Sequence, residues 1–151
     1  MDDAQSRLDV FLSRFTPEVE SLARALIERM RARLPGAAIL VYDNYNSLAI
    51  GFGPDEKVSH AVLSLAVFPR WVTLHFLHGV GLPDPDGILR GEGSRVRHVR
   101  LFEPDALDDP RIEALLAAAL DRCEPPFDES APQRLVVKAV LAKQRPRRPR
   151  E

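Results

Sequence analysis

The dipeptide Pro35-Gly36 separates two kinds of periodicity, and that separation restricts the fold more than any other feature of the chain. Before it, apolar residues recur at helical spacing. Leu8, Phe11, Leu12 and Phe15 follow i, i+3, i+4, i+7. Val19, Leu22, Ala23, Leu26, Ile27 and Met30 form a second apolar face. It begins after Thr16-Pro17, a capping residue followed by a proline at the first helical position. Glu20, Arg24 and Glu28 occupy the other face at i, i+4 spacing, where opposite charges support one another. Proline and glycine together stop this helix.

After Gly36 the pattern becomes that of strands. AAILVY, SLAIGF, SHAVLSLAVF and WVTLHFL are short and rich in β-branched or aromatic residues. The breaks between them, DNYN (43–46), GPDEK (53–57) and Pro69-Arg70, are too short for helical crossovers and predict antiparallel hairpins. GVGLPDPDGILRGEG (79–93) is a longer connection, read with one helical turn near Ile88-Leu89. RVRHVRL (95–101) follows as a strand. Asp109-Pro110 opens a third helix with Ile112, Leu115, Leu116 and Leu120 inward. RLVVKAVLA (134–142) reads as a last strand returning to the sheet, with Leu135, Val137, Ala139 and Leu141 on its core side. The expectation is an α+β two-layer sandwich. An antiparallel sheet of about five or six strands is packed by two N-terminal helices and one late helix, with a final C-terminal strand. Residues 1–142 make one domain, and 143–151 a basic, flexible tail.

Charge and composition narrow the function classes. At 151 residues, 45% apolar and 28% charged, the chain has ordinary globular proportions. Its net charge of −1 argues against bulk electrostatic attraction to nucleic acid or to a membrane surface. The charge is uneven, however: Lys143, Arg145, Arg147, Arg148 and Arg150 crowd the last nine residues against Glu151 alone, so the tail is +4 and the remainder −5. The single cysteine, Cys123, cannot form an intramolecular disulfide, which suits a reducing compartment. No signal-peptide pattern or membrane-length apolar run occurs, so a cytoplasmic location is expected.

Familiar catalytic and cofactor patterns are missing. The serines include no G-x-S-x-G elbow. The glycines of 79–93 do not open a helix after a strand, as a dinucleotide loop requires. His75-x-x-His78 on a strand points its two rings to opposite faces, which does not make a zinc site. Asp84-Pro85-Asp86-Gly87 lacks the remaining ligands of a calcium loop and reads as turn chemistry. These readings leave no catalytic residue, no metal site and no cofactor.

Three features remain as binding candidates. In DNYN, Tyr42 and Tyr45 flank Asn44 in a hairpin loop carried on a rigid sheet. In RVRHVRL, strict alternation puts His98 and Arg100 on one side, where they can converge on an anion or carboxylate; a bulge near Arg97-His98 would bring Val96 and Val99 to one face. Trp71 and His75 join them as sheet residues. The third is the tail: Lys143, Arg145, Arg147 and Arg148 offer charge to nucleic acid, but without adjacent aromatics they offer no stacking platform. Apolar groups on both sides of the 62–68 and 71–78 strands also suggest a second sheet face that is covered, lines a pocket, or meets another copy in a homodimer.

VYDNYNSLAIGFGP, FPRWVTLHFLHG, GLPDPDGILRGEGSRVRHVRL and LAKQRPRRP together resemble the YdhG-like bacterial domains, grouped as domain of unknown function 1801, over about Val19 to Pro149. That resemblance implies an α+β sandwich and no established activity. Some such domains have been likened to frataxin-type iron chaperones. A site of that kind needs a helix face of unopposed acids, whereas here Glu18, Glu20 and Glu28 alternate with Arg14, Arg24, Arg29 and Arg31. The sequence therefore predicts a small binding or interaction module rather than an enzyme, with an unidentified small ligand or protein as partner. Metal handling and weak nucleic-acid association through the tail are its alternatives.

Overall fold

A computed structural model describes residues 3–149. Two helices come first, α1 (Asp3–Ser13) and α2 (Pro17–Arg33). The Thr16 hydroxyl accepts a hydrogen bond from the Val19 amide at 3.4 Å and caps α2. Six strands follow the pattern change at Pro35-Gly36: β1 (Ala38–Asp43), β2 (Leu48–Gly53), β3 (Leu63–Val67), β4 (Val72–Phe76), β5 (Arg97–Leu101) and β6 (Arg134–Val140). Between β5 and β6 lies α3 (Pro110–Asp121), capped by the Asp109 carboxylate on the Arg111 amide. The architecture is α+β, with the helices on one face of an open six-stranded sheet. No helix among the described residues is long and apolar enough to cross a membrane.

The strand order is β5-β4-β3-β2-β1-β6, and every neighbouring pair is antiparallel except β1 with β6, which is parallel. The expected all-antiparallel sheet is therefore mixed at one edge. The cause is the route between the last two strands. The chain leaves β5 at one end of the sheet, and α3 with the loop after it brings it back at the opposite end, beside Ala37. The last strand must then run in the direction of β1.

Register sorts the side chains into rows. Val41, Ile50, Leu65, Leu74 and Val99 are cross-strand neighbours, and all are buried on the helical side. The opposite side carries Leu40, Gly51, Ser64, His75 and His98 in one row, and Tyr42, Ala49, Ala66, Thr73 and Arg100 in the next. The apolar second face expected for β3 and β4 is thus mostly small or polar: Leu63, Leu65, Val67, Val72, Leu74 and Phe76 all point to the core. Strand β5 pairs through five consecutive residues with no bulge, and Val96 lies outside it. The one irregularity in the sheet falls in β6 opposite Val41 and Tyr42. Leu135 and Val137 pack on the core as expected, but beyond the bulge Val140 and Leu141 are exposed.

The 79–93 connection holds no helical turn. Both carboxylate oxygens of Asp84 accept backbone N–H groups, from Ile88 and Leu89 at 3.0 Å each, and Gly87 takes φ +63°. This is the turn chemistry read from the sequence.

Residues 143–149 are not a frayed tail. A third core-side row runs Asp43, Leu48, Val67, Val72, Leu101, and it ends in a carboxylate only 1% exposed. The C-terminal segment crosses this end of the sheet and places Arg147, 5% exposed, against that acid at 2.9 Å. A buried carboxylate in an apolar row has to be paired, and the segment is ordered by that need. A chain ending at Ala142 should lose on the order of 3 kcal/mol, and Arg147→Ala nearly as much. Urea denaturation of both against the full chain measures this. Unchanged midpoints would return the segment to a solvated end.

A candidate anion cleft at the strand tips

The row Asp43–Leu48–Val67–Val72–Leu101 is the last before the chain turns, so two hairpin tips and the end of β5 lie side by side. The first tip spans Asn44 to Ser47 and is closed by the Asn44 amide on the Ser47 carbonyl at 3.0 Å. The second spans Phe68 to Trp71 and is closed by the Phe68 amide on the Trp71 carbonyl at 2.8 Å. Beyond β5 comes Phe102.

The C-terminal segment is stitched to the first tip. The Leu141 amide donates to the Asp43 carbonyl at 2.9 Å, and the Arg145 amide to the Tyr45 carbonyl at 2.8 Å. The Gln144 side chain donates to the carbonyls of Asp43 and Leu141. Nη2 of Arg147 reaches the Asp43 carboxylate and the Asn44 and Ser47 carbonyls. Arg14, from the end of α1, holds the other carboxylate oxygen at 3.2 Å. Pro146 restricts the backbone between the last two anchors, and Pro149 follows them.

Between the two tips and this segment lies a cleft of about 640 Å³. Phe68 and Trp71, with ring centroids 5.9 Å apart, form its aromatic wall, and Asn46 lies on the other side. Arg70, Arg145 and Arg148 supply three guanidinium groups. No acidic side chain lines the cleft among the described residues. The guanidinium of Arg145 lies 5.6 Å from the centre of the Tyr45 ring, and Arg148 donates to the Arg14 carbonyl at 3.1 Å. None of the ion pairs found among the described residues includes these three arginines.

Of the residues singled out from the sequence, some gather here. Tyr45 stands exposed on the first tip, Trp71 on the second, and Arg145 and Arg148 line the cleft. Arg100 adjoins them, its guanidinium 4.8 Å from the ring centres of both Trp71 and Phe102. Lys143 is exposed. Arg147 is withdrawn from any partner by its burial against Asp43, so it holds the segment rather than offering charge. Asn44 is half-buried and takes part through its backbone. Tyr42 lies on the open sheet face with its hydroxyl buried and unpartnered among the described residues, and burial raises its pKa.

His75 and His98 do not join the cleft. They stack on the open face with ring centroids 5.2 Å apart and planes 25° apart. Thr73 Oγ1 and His75 Nε2 share a hydrogen bond of 2.8 Å. Burial, and secondarily the neighbouring His98, push His75 down to about 4. The residues missed from sequence are Arg70, Phe68 and Phe102. The first two sit in a Pro-containing turn that reads only as punctuation, and Phe102 lies one residue past a strand end.

Two other clefts carry less. The one beside β5, about 800 Å³, sets Arg90, Arg100 and Arg111 against Glu103, Asp105, Asp108 and Asp109, which cancels any preference for an anion. A smaller one, about 280 Å³, is lined by His60 and Cys123. There the Asp55 carboxylate takes His60 Nδ1 at 2.8 Å, but burial raises the Cys123 thiol and its proton is directed to the Pro125 carbonyl. No family model, curated protein or solved structure matches the chain.

The stacked histidines generate a pH prediction. A lowered pKa means that the folded protein keeps His75 neutral while the unfolded chain takes up a proton near 6.5. The stability from this site is therefore present above pH 6.5 and lost as the pH falls towards 4, by on the order of 2 kcal/mol with solvent screening allowed for. Urea midpoints at pH 7 and pH 4.5 should differ more in the native protein than in His75→Gln. Equal differences would show that this ring does not drive the acid limb.

Proposed function

We propose that the protein is a small binding module, not an enzyme, and that it takes an anionic ligand in the cleft between the strand tips and the C-terminal segment. One observation carries the reading: Arg70, Arg145 and Arg148 surround a cleft with an aromatic wall, with no acidic side chain among its described lining residues. Guanidinium groups without carboxylate partners bind phosphate or carboxylate oxygens through paired N–H donors. The support beneath them is rigid. Two of the cleft's borders are hairpin tips fixed by the sheet, and the third is pinned by the buried Arg147–Asp43 pair. Concave sites of a few hundred Å³ with convergent polar groups are the usual form of small-ligand sites.

The His98–Arg100 pairing proposed from the sequence has less in its favour. His98 is stacked on His75, and Arg100 is held between Trp71 and Phe102. The iron-handling alternative has no cluster of three or more histidine, cysteine, aspartate or glutamate side chains to support it among the described residues. Likeness to the YdhG-like domains is a proposal about ancestry and names no ligand.

Thermal-shift titration with inorganic phosphate and with citrate tests the reading. The native protein should be stabilised, by RT ln(1 + [L]/Kd), with the melting temperature rising with ligand. Arg145→Ala and Arg70→Ala should reduce the shift at least several-fold while leaving the ligand-free melt within about 0.5 kcal/mol of native, since both side chains are at the surface. Equal shifts in all three proteins would place anion binding elsewhere.

A further inference from the structure

The exposed aromatic side chains of this protein are gathered at one end. Tyr45 is 38% exposed, Trp71 37% and Phe102 70%, and all three stand at the tips beyond the Asp43–Leu101 row. The buried aromatic residues Phe11, Phe15, Phe52 and Phe76 belong to the core. Leaving three large rings in water forfeits burial worth having, so their collection in one line is a feature to be explained.

Arginines interleave with the rings. Arg145 lies over Tyr45, Arg70 sits in the turn between Phe68 and Trp71, and Arg100 lies between Trp71 and Phe102. Strands in a sheet are about 4.8 Å apart, so from β5 to the β1–β2 tip the line runs about 17 Å. That is far longer than one phosphate. Rings spaced along a basic track are what unpaired bases and their backbone recognise: bases stack on aromatic faces and guanidinium planes, and phosphates meet the arginine N–H groups. A duplex would hide its base faces from such a line. Any strongly acidic polymer would satisfy the arginines but leave the rings unused.

Resting on the anion-cleft reading, we infer that the Tyr45–Trp71–Phe102 line with Arg145, Arg70 and Arg100 is a platform for single-stranded nucleic acid. From the sequence, nucleic-acid association is expected only weakly and only through the charge of the tail, because the basic C-terminal segment has no aromatic residue of its own. The fold supplies them from the hairpin tips. The net charge of −1 does not fall on the tips that carry Tyr45 and Trp71, where Asp43 is buried and paired with Arg14 and Arg147. Phe102 and Arg100 share a cleft with Glu103, Asp105, Asp108 and Asp109, so the attraction for phosphate comes from Arg70 and Arg145, and the Phe102 end contributes stacking.

Trp71 is the only tryptophan, so its fluorescence reports directly on the platform. The full chain is titrated with an eight-residue oligothymidylate and, separately, with inorganic polyphosphate at equal phosphate concentration. The proteins are native, Phe102→Ala and Arg145→Ala, each first checked for an unchanged thermal melt. Expected is quenching of Trp71 by the oligonucleotide, with tighter binding of oligonucleotide than of polyphosphate. Phe102→Ala should weaken the oligonucleotide by roughly 5- to 150-fold, as the loss of one stacked base implies, and leave polyphosphate unchanged. Arg145→Ala should weaken both. If polyphosphate binds as tightly as the oligonucleotide and Phe102→Ala changes neither, the platform is overturned while the anion cleft stands. If neither probe binds, both readings fall.

Discussion

A carboxylate stands at the end of a core row, and the segment after β6 is arranged around it. Asp43 shares its row with Leu48, Val67, Val72 and Leu101, on the face that packs against the helices. An ionised carboxylate left alone there would cost several kcal/mol in lost hydration. Arg14 covers one oxygen from the end of α1, and Arg147 covers the other from a position 104 residues away in sequence. To bring Arg147 in, the chain must finish β6 beside β1 and then cross the strand tips. The parallel pairing of β6 and the course of the last residues serve the same end. The same Nη2 of Arg147 that meets Asp43 also donates to the Asn44 and Ser47 carbonyls, so the ion pair closes the first hairpin as well as holding the C-terminal segment.

Much of this fold can be read from the sequence where the deciding forces are local. Thr16-Pro17 and Asp109-Pro110 mark helix starts because the cap bonds form within three residues. The strands are legible because alternation acts within five or six residues, and the short breaks enforce hairpins. What is not legible is decided at a distance. The direction of β6 depends on where α3 returns the chain. The segment KQRPRRP has the composition of a solvated end, and only the position of Asp43 in a core row reverses that. DNYN reads as a loop, yet its first residue is the last of β1 and faces inward.

The same distinction separates the parts of the site. Tyr45, Trp71, Arg100, Arg145 and Arg148 are visible as candidates, each for its own chemistry. Their grouping is not, since Tyr45 and Arg145 are joined by a backbone hydrogen bond across a hundred residues. His75 and His98, equally visible as chemistry, are brought together by the register of β4 and β5 into a stacked pair away from the cleft. The depressed pKa of His75 follows from that placement, and it makes this ring a contributor to acid sensitivity rather than a charged ligand group.

The middle of the open sheet face, on β2 and β3, differs from the tip end in the size of its side chains. On the face, Ala49, Gly51, Ser64, Ala66 and Thr73 present little for a ligand to grip, and the Thr73 hydroxyl is engaged by His75. At the tips, long side chains project from turns whose backbones are held by the ladder behind them. Arginine there loses less entropy than it would on a mobile tail, because Arg145 rests on Tyr45 and Arg100 between two rings before any ligand arrives. Preorganised cations of this kind bind with less ordering left to do. The buried Arg147 thus acts on the cleft without entering it: by fixing the segment that carries Arg145 and Arg148, it turns a run of charge into a wall.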